Sequence, residues 1–181
     1  MPTKALPFKT NNMDLSYPQT GFHFSVVFEL FPQLPNDIKF QEVSGLNATM
    51  EMEPLKEGGE NRFVHQLPVR TSYSELVLKR GKFMGSGLLL WCTNAIENFE
   101  FKPTNVLISL LDENHLPLYN WYVINAIPKR LEVSGFSADR SEIVIETFAL
   151  NYQYFKYYDP ASAALGLAGA LAGSVSAKLS F

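Results

Sequence analysis

Residues 38–83 constrain this chain more than any other stretch. They read as two strand pairs split by one polar turn: IKFQEVSGLNATMEMEPL, then KEGGEN, then RFVHQLPVRTSYSELVLKRGKF. Gly58 and Gly59 give the turn backbone freedom at positive φ, while Glu57, Glu60 and Asn61 keep it in water. On the way in, Met50 and Met52 project to one side and Thr49, Glu51 and Glu53 to the other. On the way out, Phe63, His65 and Leu67 oppose Val64 and Gln66. Neither arm divides into one apolar and one charged face. A long hairpin with moderate apolar content on both sides is more than a domain of this size covers. It reads either as an arm reaching for a neighbouring copy of the chain or as an ordinary hairpin packed on its own core.

With 181 residues the chain is most simply one domain with room for a real core. Its net charge of -3 runs against a nucleic-acid surface, which needs a basic stripe. The only basic cluster is Lys79, Arg80 and Lys82, at the end of a strand pattern. The 14 Phe and 8 Tyr suit a β-rich core. A single cysteine, Cys92, rules out an internal disulfide and fits a reducing compartment. The first twenty residues show no apolar run of the secretory type, and no window reads as a membrane anchor.

Residues 1–20 hold three prolines and no period, and are expected to form an extended arm. A half-buried strand follows, with Phe22, Phe24, Val26, Phe28 and Leu30 on one face. Further strands are expected over 38–43 and 46–53, kinked at Ser44 and Gly45, then over 62–70, where Pro68 marks an edge or an ending, and over 73–79. At Gly85 the period changes to three and four. Leu88, Trp91, Cys92, Ala95, Ile96 and Phe99 then trace the buried stripe of a helix over 86–98, N-capped by Ser86. Cys92 on that stripe reads as a packing residue and not a reactive thiol. Strands resume over 104–111 and 118–127. Pro128 interrupts, and 129–133 continues the pairing. One long strand over 141–155, apolar on both faces, completes the body. From Asp159 the composition shifts to Ala, Gly, Leu and Ser. Asp159 and Pro160 suit a helix start, and Ala164, Leu167, Leu171 and Val175 would make a narrow stripe needing something to dock on.

Little here points to chemistry. His23, His65 and His115 lack partners at metal-ligand spacing, and there is no phosphate-binding glycine loop or nucleophile elbow. Glu51, Glu53, Glu57 and Glu60 are the only dense carboxylate set, on a strand that looks at least half exposed, so they read as solvated acids. No enzyme is legible, and no cofactor or metal is expected.

The order of pieces resembles the tail-tube protein family of contractile phages and of related phage-tail-like contractile injection systems. The residues that carry the resemblance are GFHFSVVFE, FQEVSGL, the acidic turn EGGEN, LVLKRGKF, the Leu/Trp helix and LLDENHLPLYNWYVINAIPKRLEVSGFSADRSEIVIETFALNYQYF. Within the last, Trp121-x-x-x-Asn125-Ala126-x-Pro128 is the most specific combination. The resemblance spans residues 17–158. It implies a mainly β fold, an antiparallel β-barrel or sandwich with one flanking helix and a protruding hairpin, as in the Hcp tube of type VI secretion.

The resemblance further implies hexameric rings stacked into a hollow tube. Strands would then pair across subunit boundaries, and the hairpin, with Met50, Glu51, Met52, Glu53, Glu57, Gly58, Gly59, Glu60 and Asn61, would project onto the adjacent ring. The implied partners are further copies of the chain, sheath and baseplate proteins of the same machine, and cargo in the lumen, with no nucleic-acid-specific site and no stable membrane anchor. Assembly would take place in the bacterial cytoplasm, with release in the finished particle. The expected division is an arm over 1–20, a tube domain over 21–158 and an extension over 159–181. That extension departs from the family pattern and points to an alternative, a specialised tube-initiator layer resting on the baseplate. A reading from another class is a monomeric β-barrel that binds a small ligand.

Overall fold

The computed structural model describes residues 21, 23–31, 37, 39–56, 58–59, 62–139 and 141–159. The expected N-terminal arm, and the tail beyond Asp159 with its candidate helix, lie outside the described residues. The strands are β1 (Phe24–Phe28), β2 (Glu42–Ser44), β3 (Ala48–Leu55), β4 (His65–Tyr73), β5 (Leu76–Gly81), β6 (Thr104–Leu111), β7 (Pro117–Val133), β8 (Ile145–Asn151) and β9 (Tyr154–Tyr158), and β1, β6, β7 and β9 are rich in the β-branched and aromatic residues that favour a pleated surface. Among the described residues there is one helix, α1 (Gly87–Glu97).

All pairings are antiparallel, and the strand order is β1-β6-β7-β8-β5-β2. The 17-residue β7 organises the body. Its first half lies between β6 and β9, and its second half pairs with β8. Inward residues of the strands, among them Val26, Leu78, Val106, Val123, Phe148 and Leu150, meet Leu88, Trp91 and Cys92 of α1 in one core. Among the described residues β3 and β4 pair only with each other, in a separate two-stranded sheet.

β6 falls on the expected 104–111, and residues 129–133 do continue β7 past Pro128. β1 lies within its expected run with Val26 and Phe28 buried, though Leu30 is exposed beyond its end, and several other strands correct the sequence reading. The strand expected over 38–43 is only Glu42–Ser44, and the hairpin strands lie further along the chain than 46–53 and 62–70. The strand expected over 73–79 breaks at Ser74 and Glu75, so Tyr73 closes β4 and Leu76 opens β5.

The long last strand becomes two. Residues 141–144 are not strand, pairing begins at Ile145, and it lapses at Tyr152 and Gln153 before resuming to Tyr158. Asn125 explains the lapse. Its backbone turns left-handed, at φ 52, where β7 passes from β6 to β8. The Gln153 N–H donates to the Ile124 carbonyl at 3.1 Å, and the Asn125 side-chain amide donates to Gln153 Oε1 at 2.9 Å. The β8–β9 run bends with its partner at that corner.

Ser86 caps α1 as expected, its hydroxyl oxygen accepting the Leu89 N–H at 3.1 Å. Leu88, Trp91, Cys92 and Ala95 face inward. Ile96 and Phe99, expected on the same stripe, are 46% and 77% exposed. The helix ends at Glu97, and Phe99 sits at φ 54, which swings its side chain off the helical face. Burial pushes the Cys92 thiol up to about 12, outweighing the nearby Arg80 charge. Cys92 is therefore expected to resist maleimide at pH 8 in the folded chain and to react fully in denaturant; fast native labelling would contradict the packing role.

The basic cluster of the sequence divides. Lys79 pairs with Glu42 on the surface at 2.9 Å. Arg80 shares the inward side with Leu76 and Leu78 and is wholly buried. Its guanidinium donates to Asp37 Oδ1 at 3.1 Å, to Ser86 Oγ at 2.5 Å and to Glu146 Oε2 at 3.4 Å, and it lies over the Phe148 ring at 5.0 Å. Lys82 reaches the other Glu146 oxygen at 2.8 Å. Asp37 also accepts the Ser86 hydroxyl and the Gly87 N–H, at 2.6 and 2.9 Å. Burial by itself would raise the Asp37 carboxyl. The bonds from Ser86, Arg80 and Gly87, with the Arg80 charge, together hold it below its ordinary range. This cluster ties the start of α1 to β5 and β8.

Candidate functional site

The hairpin stands off the body. Every residue of β3 is exposed, and every residue of β4 except half-buried Tyr73. Met50 and Met52 are 55% and 52% exposed and belong to no core cluster among the described residues. Of the two readings open from the residues, the self-packed hairpin is thereby excluded.

Register sorts the two arms into faces that neither shows separately. Ala48 lies opposite Tyr73, Met50 opposite Thr71, Met52 opposite Pro68 and Pro54 opposite Gln66. That face of the paired strands carries no charge. Thr49 and Ser72, Glu51 and Arg70, Glu53 and Leu67, and Leu55 and His65 form the other. Glu51 and Arg70 make an ion pair there at 3.2 Å; both are well exposed, so it fixes geometry more than it adds stability. Val69 is the unpaired residue of a bulge between these registers. Pro68 therefore lies inside β4 and not at its end. An isolated pair tolerates the missing N–H because both its outer edges are open.

The root of the hairpin is closely packed. Gly45 sits at φ 92 between β2 and β3, and a Cβ there would lie 1.8 Å from the Glu75 carbonyl oxygen. Its own carbonyl accepts the Tyr152 hydroxyl at 3.0 Å. The Ser74 N–H donates to the Asn47 carbonyl at 3.3 Å, and the Tyr73 ring packs against Tyr152 and Phe155. Sequence reasoning identified the Gly45 kink but missed Tyr73 and Tyr152, which nothing in the local pattern distinguishes from other core aromatics.

The expected site residues separate into two groups. Met50, Glu51, Met52 and Glu53 lie on β3, with Gly58 and Gly59 at the tip; Glu57, Glu60 and Asn61 lie outside the described residues. Trp121, Asn125, Ala126 and Pro128 belong to β7, and no strand pairing links them to the hairpin. They build the corner. Trp121 packs beside the core, Asn125 makes the left-handed bend, and Ala126 and Pro128 are buried to either side of Ile127.

The body also offers unpaired strand edges. Among the described residues β1, β2 and β9 each pair on one side only. β9 presents Tyr154, Tyr157 and Tyr158 to solvent along its edge. No described helix is long and apolar enough to cross a membrane. No cluster of three or more metal-ligating side chains exists among the described residues.

A fold of this kind is also found in known proteins. The model of the family described as T4-like virus tail tube protein gp19 matches residues 20–156. A chain in the cryo-EM structure of the anti-feeding prophage baseplate is 31% identical, over 80% of this chain and 98% of its own, at a TM-score of 0.73. A chain of the sheath–tube complex of the extracellular contractile injection system PVC, in its extended state, is 22% identical over 84% and 99%, at 0.71. The fold extends to Hcp1 from Flavobacterium johnsoniae, 14% identical over 76% and 99%, at 0.51. No curated protein sequence matches significantly. With a family match over most of its length, and a body and projecting hairpin of the expected form, the chain belongs to the T4-like virus tail tube protein family and is a structural component of a contractile tail tube.

Proposed function

We propose that six copies of this chain close into a ring and that rings stack through the β3–β4 hairpin into a hollow tube. Cargo passes through the lumen, and sheath contraction drives the tube through a target envelope. The work is mechanical and steric, with no catalytic step and no cofactor. Assembly takes place in the bacterial cytoplasm and release in the particle. The observation that carries the proposal is a hairpin exposed along its length with one uncharged face, bearing Met50, Met52, Pro54 and Pro68. Such a face gains free energy only by covering itself, and obligate contacts of this sort bury upwards of about 2,000 Å². The open edges of β1, β2 and β9 supply pairing surfaces around the ring. The six-fold symmetrised baseplate that contains the 31% identical chain supports the number six.

The test is electron microscopy of the purified chain beside two variants, a deletion of residues 57–62 and the pair Met50→Asp with Met52→Asp. The wild type is expected to form rings and tubes. Both variants should fold and ring but fail to stack, and the exposed double substitution should change stability by under about 1 kcal/mol. Full-length tubes from either variant would overturn the role of the hairpin. A solitary monomer at high concentration would overturn the assembly itself.

A second reading has specific support. The baseplate chain is 31% identical against 22% for the sheath–tube chain, and the family match stops at residue 156, short of the Ala/Gly-rich extension over 159–181. Both features favour a tube layer seated on the baseplate. Truncation after Tyr158 separates the two: a baseplate layer loses attachment and keeps its ring, whereas a bulk tube subunit loses neither.

A further inference from the structure

The turn between β6 and β7 brings two histidine side chains together. The His115 ring meets the His23 ring across 92 positions of sequence, with His115 Nδ1 2.9 Å from His23 Nε2. The other His23 nitrogen, Nδ1, lies 2.8 Å from the Asp112 carbonyl oxygen. A carbonyl only accepts, so Nδ1 carries the proton and Nε2 of the neutral ring is the acceptor, taking the His115 Nδ1–H; a metal ion entering between the rings would displace that one proton and take both lone pairs. An imidazole held by an N–H donated to a backbone carbonyl is the usual support of a metal-ligating histidine. Asp112 is itself fixed, its carboxylate accepting the Asn114 and Leu116 N–H groups at 2.8 Å each.

The spacing is that of a chelate. Two nitrogens each about 2.05 Å from one ion and 2.9 Å apart subtend about 90°. Ring centres lie about 1.15 Å behind the nitrogens, so lone pairs converging on such an ion place the centres about 4.5 Å apart, whereas a collinear N–H···N bond places them about 5.2 Å apart. The observed separation is 4.6 Å, with the rings inclined at 80°. A 90° bite belongs to tetragonal coordination, whereas zinc in protein sites favours the wider tetrahedral angle.

We infer that His23 Nε2 and His115 Nδ1 form a bidentate site for a divalent transition metal of tetragonal preference, copper(II) or nickel(II). Water completes the coordination, since no third protein ligand stands among the described residues. The ion would clamp the residue just before β1 to the β6–β7 turn, where the Leu111 N–H already donates to the His23 carbonyl at 2.9 Å.

Copper(II) sulfate titrated into the full-length chain, followed by calorimetry and electron paramagnetic resonance, tests this. One equivalent should bind with nitrogen coupling from two imidazoles. The thermal midpoint should rise with copper, because the unfolded chain does not bring the two rings together. His23→Gln and His115→Asn should each lower affinity at least tenfold and abolish the thermal shift, while His65→Gln should change neither. Asparagine is chosen because His115 sits at φ 63, a backbone it tolerates. Circular dichroism checks that each variant folds. Absence of copper binding, or copper bound with undiminished affinity in both the His23 and His115 variants, would overturn the site.

Discussion

Replacing Arg80 by methionine is expected to destabilise the chain by about 3–5 kcal/mol, because removing one member of a buried ionic cluster leaves uncompensated charge in the interior. The substitution keeps most of the volume and removes the donors to Asp37, Ser86 and Glu146. Lys82 still reaches Glu146, but Asp37 keeps only Ser86 and the Gly87 N–H. Urea unfolding followed by circular dichroism measures the loss. Lys79→Met, on the same strand, removes only the exposed pair with Glu42 and should cost under about 1 kcal/mol. The two results together test burial, since the side chains differ by one position and both carry a positive charge. Equal, small losses would contradict the buried cluster. Acid adds a second reading. The Asp37 carboxyl is held below its ordinary 3.8, so its contribution is complete above that pH and is lost as pH falls through the lower folded value. Asp37→Asn should flatten that part of the stability profile.

Gly45→Ala should have the other large effect. The new methyl would meet the Glu75 carbonyl oxygen at 1.8 Å, on backbone that already disfavours a side chain at φ 92. Overpacking against backbone together with a left-handed residue amounts to about 2–5 kcal/mol. Relief would have to move the hairpin root, so tube assembly should fail even where the body still folds. Gly59→Ala at the tip isolates the two causes. Its φ is 97, but no atom lies within 4 Å of the added Cβ, so only the conformational part, about 1–2 kcal/mol, should appear. Similar losses at the two glycines would mean that contact with Glu75 does not set the hairpin's position.

Elements governed by local period were legible in the sequence. β6 and α1 lie where alternation and the three-and-four spacing put them, with Ser86 capping. The mainly β body and the helix followed from the same patterns, whereas those patterns left the hairpin open between an arm and a self-packed element, and the family resemblance implied that it protrudes. Arg80 shows where local reading stops. Its parity with Leu76 and Leu78 was visible, but a buried guanidinium needs carboxylates, and those come from residues 43 and 66 positions away. Phe99 was misjudged for a related reason: a helical period says nothing about the residue at which the helix ends. The long last strand failed because its break answers a bend in β7, a different part of the chain.

Alternation by itself determined which residues of β3 face together, Met50 and Met52 against Glu51 and Glu53, because a strand's side chains alternate whatever it pairs with. Which side of the hairpin Arg70 occupies was decided only in three dimensions, by the register that sets it opposite Glu51. A slip of one residue would carry that charge onto the methionine face and leave no uncharged surface to offer a neighbour. Such a register is held by the root at Gly45, Tyr73 and Tyr152, contacts between residues up to 107 apart, which no local pattern encodes.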